Sequence, residues 1–117
     1  MDSEYSFQFT EKALSDLDGI VDYLVNTLGQ LPAAQRIVDK IEQEIHVVCR
    51  YPESGTIVIN EYIRRSDIRK LVIEKYVLYY LADSESQRII VLRVVYGKRD
   101  LNEIMKGVVS KQQNRLN

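Results

Sequence analysis

The chain has 117 residues, 45% hydrophobic and 28% charged, the make-up of one folded domain and not of a disordered or low-complexity polymer. Sixteen basic residues against seventeen acidic ones leave a net charge of −1, so total charge names no partner. A single cysteine, Cys49, excludes an intrachain disulfide, and no apolar run reaches the ~18 residues of a membrane helix.

Asp2 and Glu4 follow Met1 with the wrong charge for a secretory leader, and the expected compartment is the cytoplasm. Tyr5-Ser6-Phe7-Gln8-Phe9 alternates aromatic and polar residues with period two, which predicts a strand. Thr10 then suits a helix N-cap, with Glu11 in the first turn facing the positive end of the helix dipole. Ala13, Leu14, Leu17, Ile20, Val21, Leu24 and Leu28 recur at helical spacing and make one apolar stripe. Asp16, Asp18, Asp22 and Asn26 are assigned to the other faces, and Gly29 ends the helix. Pro32 suits the first turn of a second helix, whose stripe is Ala34, Ile37, Val38, Ile41, Ile45 and Val48. Tyr51-Pro52-Glu53-Ser54-Gly55 stops it. The short connection between the two helices predicts an antiparallel helical hairpin.

Beyond that point the period changes. Residues 56–63 read as a loop or a weak strand, and residues 69–73, 76–81 and 88–96 are β-branched and aromatic runs. The spacers Glu74-Lys75 and Asp83-Ser84-Glu85-Ser86-Gln87 are long enough for antiparallel neighbours and too short for a parallel crossover. The run Ile89-Ile90-Val91-Leu92 with Val94-Val95 is apolar on both faces and predicts a fully covered strand. Gly97 breaks it, residues 100–105 read as a short last helix, and residues 107–117 as a polar tail. The expected fold is α+β over residues 1–106. An N-terminal strand and an antiparallel helical hairpin pack on one face of a twisted antiparallel sheet, followed by the short C-terminal helix. Through Asn60 the chain carries ten acidic and four basic residues; from Glu61 on it carries seven and twelve. An acidic helical half joined to a basic sheet half points to a binding surface.

The chain has one histidine, His46, and one cysteine, too few for a zinc site, and no glycine-rich phosphate loop, so no metal and no cofactor are expected. Eight tyrosines against two phenylalanines is a marked bias. Tyr76 and Tyr80 fall on one face of their strand and Tyr79 on the other. They are read either as pleated-sheet core or as a platform on which nucleobases stack. Arg64, Arg65, Arg69, Lys70, Lys75, Arg93, Lys98 and Arg99 border them. Arg93 interrupts an apolar strand, so it has to meet a carboxylate, face a groove or reach a phosphate. The loop Tyr96-Gly97-Lys98-Arg99-Asp100 follows the buried strand, whose rigidity holds its cations in place.

Taken in order, these segments resemble the RelE/ParE superfamily, the small toxins of bacterial type II toxin–antitoxin systems. The resemblance spans residues 5–105. It rests on Ala13-Leu14-x-x-Leu17-x-x-Ile20-x-x-Tyr23, on Tyr51-Pro52-x-x-Gly55, on Lys75-Tyr76-Val77-Leu78-Tyr79-Tyr80, and most of all on the segment from Ile89 through Arg93-Val94-Val95-Tyr96-Gly97-Lys98-Arg99-Asp100-Leu101. It implies a growth inhibitor neutralised by a cognate antitoxin, whose disordered acidic or amphipathic tail folds on the basic half. A homodimer or a toxin–antitoxin hetero-oligomer is the implied assembly, with no membrane partner. RelE-like members cut mRNA in the ribosomal A site without a metal, whereas ParE-like members poison DNA gyrase. On the nuclease pattern, Arg99 matches the arginine of the final loop and Lys70 a strand lysine. Val77 stands where an arginine is expected, and the tyrosine of the last helix falls near Met105. The nuclease reading therefore rests on Arg99, Tyr96 and Lys70; target binding in either reading rests on Arg69, Lys75, Arg93, Lys98 and Arg99. The incomplete nuclease set, the long hairpin and the Tyr-Val-Leu-Tyr-Tyr strand favour the ParE-like branch. The alternatives are the ribosome-dependent endoribonuclease and a non-toxic interaction module on the same fold.

Overall fold

A computed structural model describes residues 4–59 and 67–98 of the chain. Strand β1 (Ser6–Phe9) leads into helix α1 (Glu11–Asp22), a π-helical turn (Tyr23–Thr27) and helix α2 (Leu31–Arg50). Strands β2 (Thr56–Ile57), β3 (Ile68–Ile73), β4 (Tyr76–Asp83) and β5 (Arg88–Tyr96) follow. The local signals explain most of these boundaries. The Thr10 hydroxyl accepts a hydrogen bond from the Ala13 N–H at 3.0 Å, capping α1 as its position predicts. Pro32 sits in the first turn of α2, where its missing N–H costs nothing. Gly29 takes φ +64°, the left-handed conformation that turns the chain from one helix to the next. The π turn is not legible in the stripe: the Leu28 N–H reaches back five residues to the Tyr23 carbonyl, which widens the helix just before its end.

The sheet order is β1-β5-β4-β3-β2. The three long strands are antiparallel neighbours, as their short spacers require: Val72 lies opposite Val77, and Leu78 opposite Val94. β1 differs. It pairs parallel to β5, with Ser6 opposite Arg88 and Phe9 opposite Val91, so the α+β class holds while the expected antiparallel sheet is a mixed one. The whole helical hairpin and three strands separate β1 from β5 in sequence, and a connection of that length permits the parallel pairing that a hairpin turn forbids. Of the weak strand expected over 56–63, only Thr56–Ile57 pairs with β3, and residues 60–63 lie outside the described residues. The predicted helix at 100–105, the tail at 107–117, and Arg64, Arg65 and Arg99 lie outside them too.

Both faces of the sheet are apolar. On the helical side Ala13, Ile37, Ile41, Ile45 and Val48 pack with Leu78, Tyr80, Ile89, Val91 and Val94. On the other side Val58, Ile68, Tyr79, Leu81, Ile90, Leu92 and Val95 form a second cluster. β5 contributes to both, which is why its sequence is apolar on both faces. The tyrosines alternate as predicted, but Tyr79 and Tyr80 are 5% and 0% exposed, so they belong to the core and offer no stacking platform. Leu14 and Leu28, counted in the α1 stripe, are about half exposed at its margins.

One buried polar group fixes where α2 hands over to the sheet. The Tyr80 hydroxyl donates to the Pro52 carbonyl at 2.8 Å and accepts from the Gly55 N–H at 2.9 Å. Arg69 on the neighbouring strand donates to the carbonyls of Glu53 and Gly55 at 3.1 and 2.8 Å. The Tyr-Pro-x-x-Gly turn is thus held from the sheet by the Tyr80 and Arg69 side chains, which reach its backbone, and so close an approach needs a glycine. A Cβ at Gly55 would lie 2.7 Å from the Tyr80 hydroxyl and 2.8 Å from the Lys70 carbonyl oxygen. Gly55→Ala is therefore expected to destabilise the domain by about 1–3 kcal/mol, the usual cost of overpacking, read as a lowered urea midpoint. An unchanged midpoint would mean that the turn is not held this way.

Candidate functional site

β1 stops opposite Val91, and beyond it the edge of β5 has no strand to pair with. Side chains of α1 take over. The Thr10 N–H donates to the Val91 carbonyl and its hydroxyl to the Leu92 carbonyl at 3.1 Å. Six residues further on, Asp16 Oδ2 accepts the Val94 N–H at 3.0 Å. The same carboxylate takes both arms of the Arg93 guanidinium: Nε donates to Oδ2 at 2.6 Å and Nη2 to Oδ1 at 3.0 Å. Both side chains are about nine-tenths buried. The pairing register slips between Tyr79 and Tyr80, leaving Leu92 as an extra residue in β5 next to Arg93, and a bulge of this kind re-aims the side chains beside it. Arg93 therefore meets a carboxylate, the first of its three expected fates. Asp16, assigned to a solvated face, sits instead on the packing side of α1. Its spacing carried that information: it lies three residues after buried Ala13 and four before Ile20.

Asp16 also lines a groove of about 820 Å³ that opens between the helical hairpin and one end of the sheet. Ile20, Leu24, Leu28 and Val94 contribute its apolar surface, and Tyr23, Tyr76 and Tyr96 its aromatic surface. The Tyr76 and Tyr96 rings meet edge to face at 6.3 Å. Burial pushes the Tyr76 hydroxyl above its ordinary pKa, with smaller contributions from Tyr23, Tyr96 and Glu74. At the rim, Glu74 in the β3–β4 turn bridges to Arg36 Nε at 3.0 Å and Lys40 Nζ at 2.9 Å, both on α2. Glu74 holds φ +56°, a conformation glycine would adopt more cheaply, and its side chain ties the turn to the helix. The Gly97 N–H donates to the Lys75 carbonyl at 2.8 Å, so the exit of β5 is bound to that same turn. Lys75, Tyr96 and Lys98 are thereby gathered at one exposed corner. In the sequence Tyr23 entered only as part of the α1 pattern, Glu74 only as a spacer and Arg36 not at all; nothing there pairs a turn with a helix 38 residues away.

The predicted site residues divide into separate groups. Lys75, Tyr96 and Lys98 come together at the groove mouth. Arg69 is occupied by the loop carbonyls and Arg93 by Asp16. Lys70 pairs across the sheet with Tyr79, on the face away from the helices, while Tyr96 pairs with Tyr76 on the helical face. Three residues along the strands and two strands across separate Lys70 from Tyr96, about 14 Å from strand spacings, so no single substrate phosphate bridges them. Arg99 lies outside the described residues. The hydroxyls of Tyr76, Tyr79 and Tyr80 are all shifted upward by burial, the wrong direction for a general base. Among the described residues no cluster of His, Cys, Asp and Glu is able to hold a metal ion, and no helix is long and apolar enough to cross a membrane.

Residues 7–101 match the family described as the ParE toxin of the type II toxin–antitoxin system parDE. No curated protein matches the chain. Solved structures share the fold. A chromosomal ParDE toxin–antitoxin system from P. aeruginosa aligns at 23% identity with a TM-score of 0.62, covering 81% of this chain and 98% of that one. A mutant of the E. coli toxin RelE in the free state aligns at 18% identity and a TM-score of 0.62, covering 92% and 97%. An archaeal RelE–RelB complex from Pyrococcus horikoshii aligns at 11% identity and a TM-score of 0.53, covering 83% and 99%.

The rim bridge has a pH signature. Hydrogen bonds from Arg36 and Lys40 hold the Glu74 carboxyl down at about 2, against an ordinary 4.5. A depressed folded-state pKa gives stability that is present above pH 4.5 and lost as pH falls towards 2. Glu74→Gln is expected to be less stable than the parent at neutral pH, with the gap closing over that window in urea titrations. A gap that stays constant with pH would contradict the bridge.

Proposed function

Since the chain belongs to the ParE toxin family of type II toxin–antitoxin systems, we propose that it arrests growth by binding DNA gyrase, and not by cutting RNA. The observation that supports this reading is the separation of Lys70 from Tyr96, the two candidate nuclease residues that are described. Metal-free RNA cleavage needs a base at the 2′-hydroxyl, a cation at the phosphorane and an acid at the leaving oxygen, all within reach of one phosphate. Here Lys70 and Tyr96 lie on opposite faces of the sheet, and Arg93 already has both arms on Asp16. Burial shifts Tyr76 at the groove away from, and not towards, the range of a working base. What the geometry offers is a rigid surface: a groove walled by tyrosines and branched aliphatics, with Lys75 and Lys98 exposed at its mouth. Surfaces of that composition bind proteins.

The same groove is the seat proposed for the cognate antitoxin. Its aliphatic and aromatic walls suit an amphipathic segment that folds as it binds, and the lysines at the mouth favour acidic residues on that segment. The similar P. aeruginosa structure is a toxin–antitoxin system and the P. horikoshii structure a complex of the two proteins, which supports a partner of this kind. Covering the groove would occlude the lysines at its mouth along with it, so one bound segment would neutralise the toxin. The cytoplasm, where gyrase and its DNA are found, is the proposed place of action.

Two assays run side by side test this reading. With the purified chain added, supercoiling of relaxed plasmid DNA by gyrase is expected to stop while mRNA in a translation reaction stays intact. Cleaved mRNA together with undisturbed supercoiling would overturn it in favour of the endoribonuclease.

A further inference from the structure

A different surface, remote from the groove in the order of the sheet, carries an inference that does not depend on the toxin reading. β1 is an edge strand. Its pairing with β5 uses every second residue: the Ser6 N–H donates to the Gln87 carbonyl and the Thr10 N–H to the Val91 carbonyl. Gln8 falls in the same phase, so the N–H and C=O groups of Phe7 and Phe9 point to the open side. Among the described residues they have no backbone partner. The next outward N–H along the edge, that of Tyr5, is taken by the Cys49 carbonyl at the end of α2 at 2.8 Å. The open stretch is therefore short and sharply bounded.

Edges of this kind are normally blunted by a charge, a proline or a bulge. Ser-Phe-Gln-Phe has none of these. Phe7 is also 42% exposed, its ring held edge to face against Phe9 at 6.2 Å and His46 at 6.0 Å. At the opposite edge of the sheet β2 is only two residues long, so among the described residues β1 offers the longer edge strand.

We infer that β1 is a self-association site, pairing antiparallel with β1 of a second copy to join two five-stranded sheets into one. The strand is complementary to itself about Gln8. In that register Phe7 of each copy lies opposite Phe9 of the other, and the four outward N–H and C=O pairs form hydrogen bonds across the two-fold. Both aromatic pairs fall on the helical face, covering the exposed part of Phe7, while the Gln8 side chains meet on the other face. Gln8 accepts from Arg88 through Oε1 at 2.9 Å, which leaves its amide N–H groups to donate to the second copy. A net charge of −1 gives the two copies little reason to repel. The contact is isologous, each copy using the same strand against itself, so this pairing closes at a dimer.

The register makes a sharp test. Gln8 stands opposite itself in a non-hydrogen-bonded pair, where Cα atoms lie about 4.5 Å apart, inside the range a disulfide spans. Gln8→Cys is expected to form a covalent dimer under mild oxidation, with the native Cys49 buried and unreactive. Ser6→Cys, two residues out of register, is expected to stay monomeric. In sedimentation of the purified chain, Phe7→Pro is expected to raise the dimer dissociation constant about tenfold or more. The Phe7 N–H faces outward, so proline there removes a bond to the second copy and none within the fold. Phe7→Lys, which adds the missing edge charge, is expected to do the same, and an unchanged thermal melt of the monomer shows that either variant is folded. A chain that sediments as a monomer at every concentration, or a dimer that neither Phe7 variant weakens, would overturn the proposal.

Discussion

The position of the helical hairpin on this sheet depends on one carboxylate. Asp16 serves as the missing strand at the edge of β5, accepting the Val94 N–H, and at the same time it neutralises Arg93. Taking both charges out of water costs several kcal/mol for each, and the attraction offsets that cost only where the geometry is good and the remaining hydrogen-bonding capacity is used. Here the guanidinium fork is matched by two oxygens, and one of them holds a backbone N–H as well. The arrangement is costly to break, because losing either partner leaves a charge stranded in a site about nine-tenths closed to solvent. It is also directional. α1 cannot slide along β5 without losing the Thr10 and Asp16 contacts together, so the groove walls that α1 and β5 supply are set by the same bonds.

Other cations are engaged within the fold as well. The sequence places a run of cations on the sheet, and summed as charge they read as a surface for a polyanion. In the fold Arg93 is consumed by Asp16 and Arg69 by the carbonyls of the Tyr-Pro-x-x-Gly turn. Arg36 and Lys40 are engaged by Glu74. Among the described residues, a pair of lysines, Lys75 and Lys98, stays exposed near the groove beside tyrosines.

The parts legible in the sequence were those governed by neighbours in the chain. Thr10, Pro32, Gly29 and the period of α2 mark helix ends and faces through contacts within a few residues, and the short spacers of β3, β4 and β5 leave no alternative to antiparallel pairing. Contacts that bridge distant segments were less visible. The parallel union of β1 with β5, the π turn and the Glu74 bridge have no local signature. Asp16 and Arg93 are intermediate: an acid at core-facing spacing and an arginine in an apolar strand each announce a buried charge, and only their pairing identifies the partner. The tyrosine bias had two readings, and burial of Tyr79 and Tyr80 selected the core. At the site, the sequence named the cations without showing that the fold gathers Lys75 and Lys98 at one corner and engages Arg69 and Arg93 elsewhere.

The claim that one buried ion pair positions the hairpin and withdraws Arg93 from the surface is tested most directly by a double-mutant cycle. Unfolding free energies of Asp16→Asn, Arg93→Met and the double variant give the coupling between the two side chains. The account predicts a coupling of about 1–3 kcal/mol, with the double variant more stable than the sum of the single losses implies. A coupling near zero would contradict it, because Arg93 would then be stabilised by something other than Asp16 and free for another role.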